Sequence, residues 1–152
     1  MDYLSRKSPR IPNYDYTSCN YYFLTMCTHD KKCIFGLPGK LNRCGKIAFD
    51  NVARIEENYP SVKVDKFVIM PNHVHMILAL EEESNNPDVR LLVALYKTGV
   101  TKQIRKIHPG MRIWQRSFHD HIIRNQAGYE KIWSYIEYNP QKWEEDCFWQ
   151  DD

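Results

Sequence analysis

With 152 residues, 43% of them hydrophobic and 13% aromatic, the chain has apolar material for one compact core, and a single domain over residues 1–152 is expected. No apolar run approaches the roughly 20 residues that cross a bilayer, and the opening MDYLSRKSPRIPNYDY is too polar and proline-broken for a signal peptide, so a cytoplasmic chain with no membrane partner is expected. Five cysteines (Cys19, Cys27, Cys33, Cys44 and Cys147), an odd count without CxxC spacing, argue against a disulfide framework or zinc ribbon and for reduced thiols, while the net charge of +2 says little until it is resolved along the chain.

Residues 1–20 read as an extended N-terminal arm leading into a first strand, YYFLTMCT, Tyr21 to Thr28, rich in β-branched and aromatic side chains. After the glycine- and proline-containing loop FGLPGKLNRCG, Ile47, Ala48, Val52 and Ile55 share one face of a helix from Lys46 to Tyr59, which Pro60 closes. VKVDKFVIM alternates and then turns continuously apolar, and HVHMILAL follows after only Pro71 and Asn72, so the two form a tight hairpin. Leu92, Leu95, Tyr96, Val100 and Ile104 recur at helical spacing from Val89 to Ile107, where His108-Pro109-Gly110 ends the helix. FHDHIIR, residues 118–124, reads as a fourth long strand. Asn125 caps a last helix over 126–139, which Pro140 stops because a residue before proline avoids the α region. The order β-α-β-β-α-β plus one helix is the ferredoxin-like α+β pattern, an antiparallel sheet with helices on one face and the other face open to a substrate.

Charge is distributed unevenly. From Val89 to Ser117 there is no acid, whereas EEESNNPD precedes that stretch and Glu144, Glu145, Asp146, Asp151 and Asp152 close the chain. A basic strip between acidic flanks suits a polyanion, and equally a solvated helix face balanced in three dimensions. His73 and His75 lie one residue apart in the second strand of the hairpin, so both point to one face while Val74, Met76 and Leu78 point to the other. Side chains two apart on a strand face are roughly 7 Å apart, near enough for two imidazoles to meet one cation. The same pattern suits two half-buried histidines bonded to neighbours. In YIEYNP, Tyr135 and Asn139 stand one helical turn apart, a phenol beside an amide oxygen that can serve a hard cation. Such a set could orient a backbone phosphate while the phenol attacks phosphorus; packing against Ile132 and Ile136 is the plainer role for Tyr135.

Taken in order, YDYTSCNYYFLTMCT, VDKFVIMPNHVHMIL, LYKTGVTKQIRK, IWQRSFHDHIIRN and YIEYNPQKW cover nearly the whole chain. In these motifs the sequence resembles the single-tyrosine HUH transposases, close to the REP-associated tyrosine transposases and their insertion-sequence relatives. The resemblance implies His73, His75 and Asn139 as ligands of Mg²⁺ or Mn²⁺, Tyr135 as the nucleophile forming a 5′-phosphotyrosine, no organic cofactor, and hairpin-forming single-stranded DNA as the partner of a nucleoid-associated enzyme if the source is bacterial. It leaves monomer or homodimer open, and a non-catalytic, host-retained hairpin-binding protein is the alternative. Lys97, Lys102, Arg105, Arg112, Arg116 and Arg124 are the expected phosphate contacts, with Tyr14, Tyr16 or Trp114 stacking on bases.

Overall fold

The computed structural model describes residues 10–145; Cys147, the acidic residues from Asp146 onward and the first nine residues of the arm lie outside them. Its elements are β1 (Tyr21–Cys27), a short ribbon of β2 (Gly36–Leu37) and β3 (Lys40–Leu41), α1 (Arg43–Asn58), β4 (Val62–Met70), β5 (His73–Leu80), α2 (Val89–Ile107), β6 (His119–Ile123) and α3 (Gln126–Tyr138), followed by a 3₁₀ turn, Pro140–Glu145. The main sheet has the order β4-β5-β1-β6 with every pairing antiparallel. This is the ferredoxin-like arrangement expected from the element order.

One face of the sheet is aliphatic. Tyr22, Leu24 and Met26 of β1, Val74, Met76, Leu78 and Leu80 of β5, and Ile122 of β6 are buried with Ala48, Val52 and Ile55 of α1 and Leu92, Tyr96, Val100 and Ile104 of α2. Each such large side chain contributes roughly 1.5–3 kcal/mol by leaving water. The Tyr96 hydroxyl donates to the Ala48 carbonyl oxygen at 2.7 Å and ties the two helices together. Leu95, expected in this layer, is 47% exposed, because it falls outside the arc that α2 turns to the sheet.

One start, one loop and one end differ from the sequence expectation for local reasons. The helix α1 begins at Arg43 rather than Lys46, since Asn42 caps it by accepting from the Gly45 N–H at 2.9 Å. Just before it the chain makes the unexpected β2–β3 ribbon around Pro38-Gly39, with Gly39 at φ +71°, a conformation that suits glycine in a tight turn. Asn139 does adopt αR angles before Pro140, contrary to the steric expectation. The chain then tightens into the 3₁₀ turn, whose first position does not need the N–H that proline lacks.

The described part of the arm is turned and packed rather than extended. Arg10 pairs with the buried Asp120 of β6, donates to the Phe118 carbonyl and lies 3.5 Å over the Phe118 ring. The Tyr16 hydroxyl donates to the other oxygen of Asp120 at 3.0 Å.

The second face of the sheet is only partly open, because α3 lies across it. Ile132 and Ile136 pack with Phe23, Ile77 and Ile123 into a small second cluster, joined by Val68, Tyr129 and Tyr135.

Candidate active site

β5 is an inner strand, and all eight of its residues are buried. Its alternation sends His73 and His75 to the α3 face, with ring centroids 4.5 Å apart at 72°. Each ring is held at its Nδ1 atom. His73 Nδ1 lies 2.8 Å from the Asn72 side-chain oxygen, an acceptor, so this nitrogen carries the proton and a neutral His73 presents its lone pair on Nε2. His75 Nδ1 lies 2.8 Å from the Thr25 hydroxyl, which can accept in the same way. Both Nε2 atoms are shielded from solvent, as is Oδ1 of Asn139.

The register of β1 supplies the surroundings. Thr25 stands opposite His75 on one side and His119 on the other, Phe23 opposite His121, and Cys27 opposite His73. His119 and His121 therefore share the face of His73 and His75, on β6 with β1 between.

α3 brings the rest. Burial of Ile132 and Ile136 against the sheet turns Tyr135 onto His75, centroid to centroid 5.2 Å, and edge-on to Phe23 at 6.1 Å. Trp143, in the 3₁₀ turn, lies 6.1 Å from the His73 ring. Asn139 falls one turn from each of these residues and is 3% exposed. Lys66 fastens the helix from β4, pairing with Glu137 and sitting 4.1 Å over the Trp133 ring. The fold thus gathers four predicted residues, His73, His75, Tyr135 and Asn139, on one face. Sequence reasoning missed Thr25, Asn72 and Trp143. Trp143 had a signal, the i to i+4 step from Asn139, but the two residues that orient the imidazoles are visible only in the strand pairing and the turn.

The predicted DNA contacts are dispersed. Lys102 and Arg105 are exposed on α2, across the sheet from the histidines, and Arg105 donates to the Met111 carbonyl at 2.9 Å. Arg112 and Arg116 are exposed between α2 and β6, and Arg124 follows β6. Lys97 is half-buried and committed within the protein's own surface, where its ammonium donates to the carbonyl oxygens of Gln115 and Ser117. Burial lowers its pKa to about 8. The aromatic residues expected to stack on bases are also engaged. Tyr16 is core, Tyr14 packs edge-on against it at 5.0 Å and shares its hydroxyl with that of Tyr22, and the Trp114 indole donates to the Lys97 carbonyl at 3.2 Å.

Among the described residues no group of three or more His, Cys, Asp or Glu side chains could hold a metal ion. A third protein donor at the histidine pair would have to be of another kind, and the buried Asn139 amide oxygen is the candidate the sequence offers. Two imidazoles that present Nε2 lone pairs when protonated at Nδ1, with one amide oxygen, fit Mn²⁺ or Mg²⁺ when oxygens of a phosphate complete the shell.

Residues 16–139 match the family described as "Transposase IS200 like". A Haemophilus influenzae protein of unassigned function is 32% identical over 169 aligned positions, covering 96% of this chain and 94% of its own. A second protein from that organism, named "Putative REP-associated tyrosine transposase", is 30% identical, covering 84% and 74%. A REP-associated tyrosine transposase solved bound to a REP hairpin superposes with a TM-score of 0.63 at 20% identity, covering 88% of this chain and 73% of its own. A crystal structure of a "putative transposase" from Deinococcus radiodurans gives 0.54 at 16%, covering 84% and 95%. Among the described residues no helix is long and apolar enough to cross a membrane.

Proposed function

This chain belongs to the IS200-like transposase family, and from that premise we propose that it cleaves and rejoins single-stranded DNA at hairpin-forming ends through a covalent link to Tyr135. The observation that carries this reading is the Tyr135 ring at 5.2 Å from His75, beside the buried Asn139. The solved relative bound to a REP hairpin supports a hairpin as the partner.

His73, His75 and Asn139 would hold Mg²⁺ or Mn²⁺. When bound there, such an ion would supply Lewis-acid chemistry to the scissile phosphate. Thr25 and Asn72 keep the imidazoles aimed, so little reorganisation is required when substrate arrives. The Tyr135 oxygen attacks phosphorus and loses its proton; the P–O3′ bond breaks, the 3′ oxygen leaves and is protonated, and the 5′ phosphate stays on the tyrosine. Rejoining is the same exchange reversed with a new 3′ hydroxyl. Because phosphodiester energy is conserved, no nucleotide cofactor is needed. The tyrosine beside His75 is the chain's own, which supports a nucleophile serving its own site rather than that of a homodimer partner.

The test uses a labelled hairpin oligonucleotide with single-stranded flanks and Mn²⁺. A covalent protein–DNA adduct is expected, lost in Tyr135→Phe and with chelator. An adduct unchanged in Tyr135→Phe refutes the assignment, and chelator-independent hairpin binding with no cleavage on any flank favours the non-catalytic alternative.

A further inference from the structure

The Tyr135 face carries a second concave feature. At the opposite end of β1 a cavity of about 440 Å³ is lined by Tyr21, Asp65, Arg124, Asn125, Gln126 and Tyr129, together with Ile123. Tyr21 and Thr25 point to the same face, so four residues of strand, roughly 13 Å, separate the cavity from the residue that holds His75.

The lining has three chemically distinct walls. Tyr21, 43% exposed, meets Tyr129 edge-on at 5.6 Å and offers an aromatic face to solvent. Asp65, which falls where the β4–β5 register slips, accepts from the Tyr129 hydroxyl. That bond, with partial burial, pushes the Tyr129 phenol up to about 12, so it stays a neutral donor and leaves a carboxylate with lone pairs to spare. Arg124 is exposed at the rim, and among the described residues no carboxylate pairs with it. Asn125 uses its side-chain oxygen on the Gly128 N–H, and Gln126 reaches Glu130 at 3.2 Å.

A flat aromatic wall, an acceptor at the back and one cation at the rim describe a nucleotide receptor better than an apolar ligand site, and the volume lies at the small end of ligand pockets. Resting on the single-strand reading above, we propose that this cavity holds one unpaired nucleotide of the substrate strand flanking the hairpin, with its base against Tyr21, its exocyclic amino group on Asp65 and its phosphate on Arg124. A carboxylate accepts readily from the amino groups of cytosine, adenine or guanine, whereas an unpaired thymine offers only its N3–H, flanked by two carbonyl oxygens that the carboxylate repels, so the site discriminates against thymine. Its position beyond the far end of α3 from Tyr135 sets the distance between the read nucleotide and the scissile bond.

The experiment measures affinity by fluorescence anisotropy for a hairpin carrying single-stranded flanks in which each flank position is replaced in turn by an abasic site. At one position the replacement should weaken binding to the unsubstituted protein about 5- to 100-fold and add nothing in Tyr21→Ala. Thymine at that position should be penalised by the unsubstituted protein and not by Asp65→Asn. Arg124→Ala should lower the slope of log affinity against log salt by about 1. Thermal melts confirm that each variant is folded, and the Asp65 and Arg124 arms stand should Tyr21→Ala melt early. Additive effects at every position overturn the cavity's role while leaving the single-strand reading intact. Failure of flanked hairpins to bind at all overturns both.

Discussion

On β5, neighbouring residues meet opposite environments. Val74, Met76, Leu78 and Leu80 enter an aliphatic layer beneath α1 and α2, whereas His73 and His75 enter a polar one under α3, where each ring is tied by a side-chain oxygen. Both layers exclude solvent; they differ in what the exclusion achieves. In the first, burial itself stabilises and many apolar shapes would serve. In the second, burial fixes the orientation of two rings and holds a phenol against an imidazole, so identity and angle matter more than volume. Two layers on one strand let the fold absorb the cost of polar burial on one side with apolar burial on the other.

The comparison would break most visibly at Tyr135. Replacing it with Phe should reduce covalent adduct formation by at least about a thousandfold while hairpin affinity and the melting temperature stay close to those of the unsubstituted protein; a large loss of stability would mean that the polar layer is structural after all. On the other side of the sheet, Met76→Ala should cost about 2–5 kcal/mol in denaturant unfolding, with a folded remnant that still forms adduct. Lys97 sharpens the contrast through pH. Its native pKa is about 8 against an ordinary 10.5, so between those values the unfolded chain holds a proton that the native one has released. Stability should therefore rise by about 1–3 kcal/mol as pH climbs through that window, and the rise should vanish in Lys97→Met, as followed by urea titrations at several pH values. Asn42→Ala, far from the histidines, should cost only about 1 kcal/mol through the lost α1 cap, with no change in cleavage.

Much of this was legible before any coordinates. β4, β5 and α2 begin and end where the hydrophobic period and the Pro71-Asn72 and His108-Pro109-Gly110 breaks place them, because those signals are local. The Asn42 cap is local too and was readable, yet a glycine- and proline-rich loop hides a two-residue ribbon whose pairing adds so little hydrophobic pattern. What could not be read were relations across the chain. Arg10 finds Asp120, Lys97 finds carbonyls 18 and 20 residues away, and α3 turns back over the face that was expected to be open. The strip free of acids was real in sequence, but it divides among the exposed face of α2, the half-buried Lys97 and the segment between α2 and β6. For the site, residue types identified the imidazoles, the phenol and the amide. Their aim depends on Thr25 and Asn72, residues whose chemistry alone signals nothing.

Asn72 also joins the turn to the neighbouring loop. Its side-chain oxygen faces His73, its side-chain nitrogen donates to the Lys31 carbonyl, and its own carbonyl receives both the N–H and the hydroxyl of Thr28. A graft of β5 into a foreign sheet would carry the imidazoles without their bearings. The smallest transplantable unit is the Pro71–His75 corner together with residues 28–31 that brace it, and a designer who wants these two imidazoles held the same way elsewhere must move both.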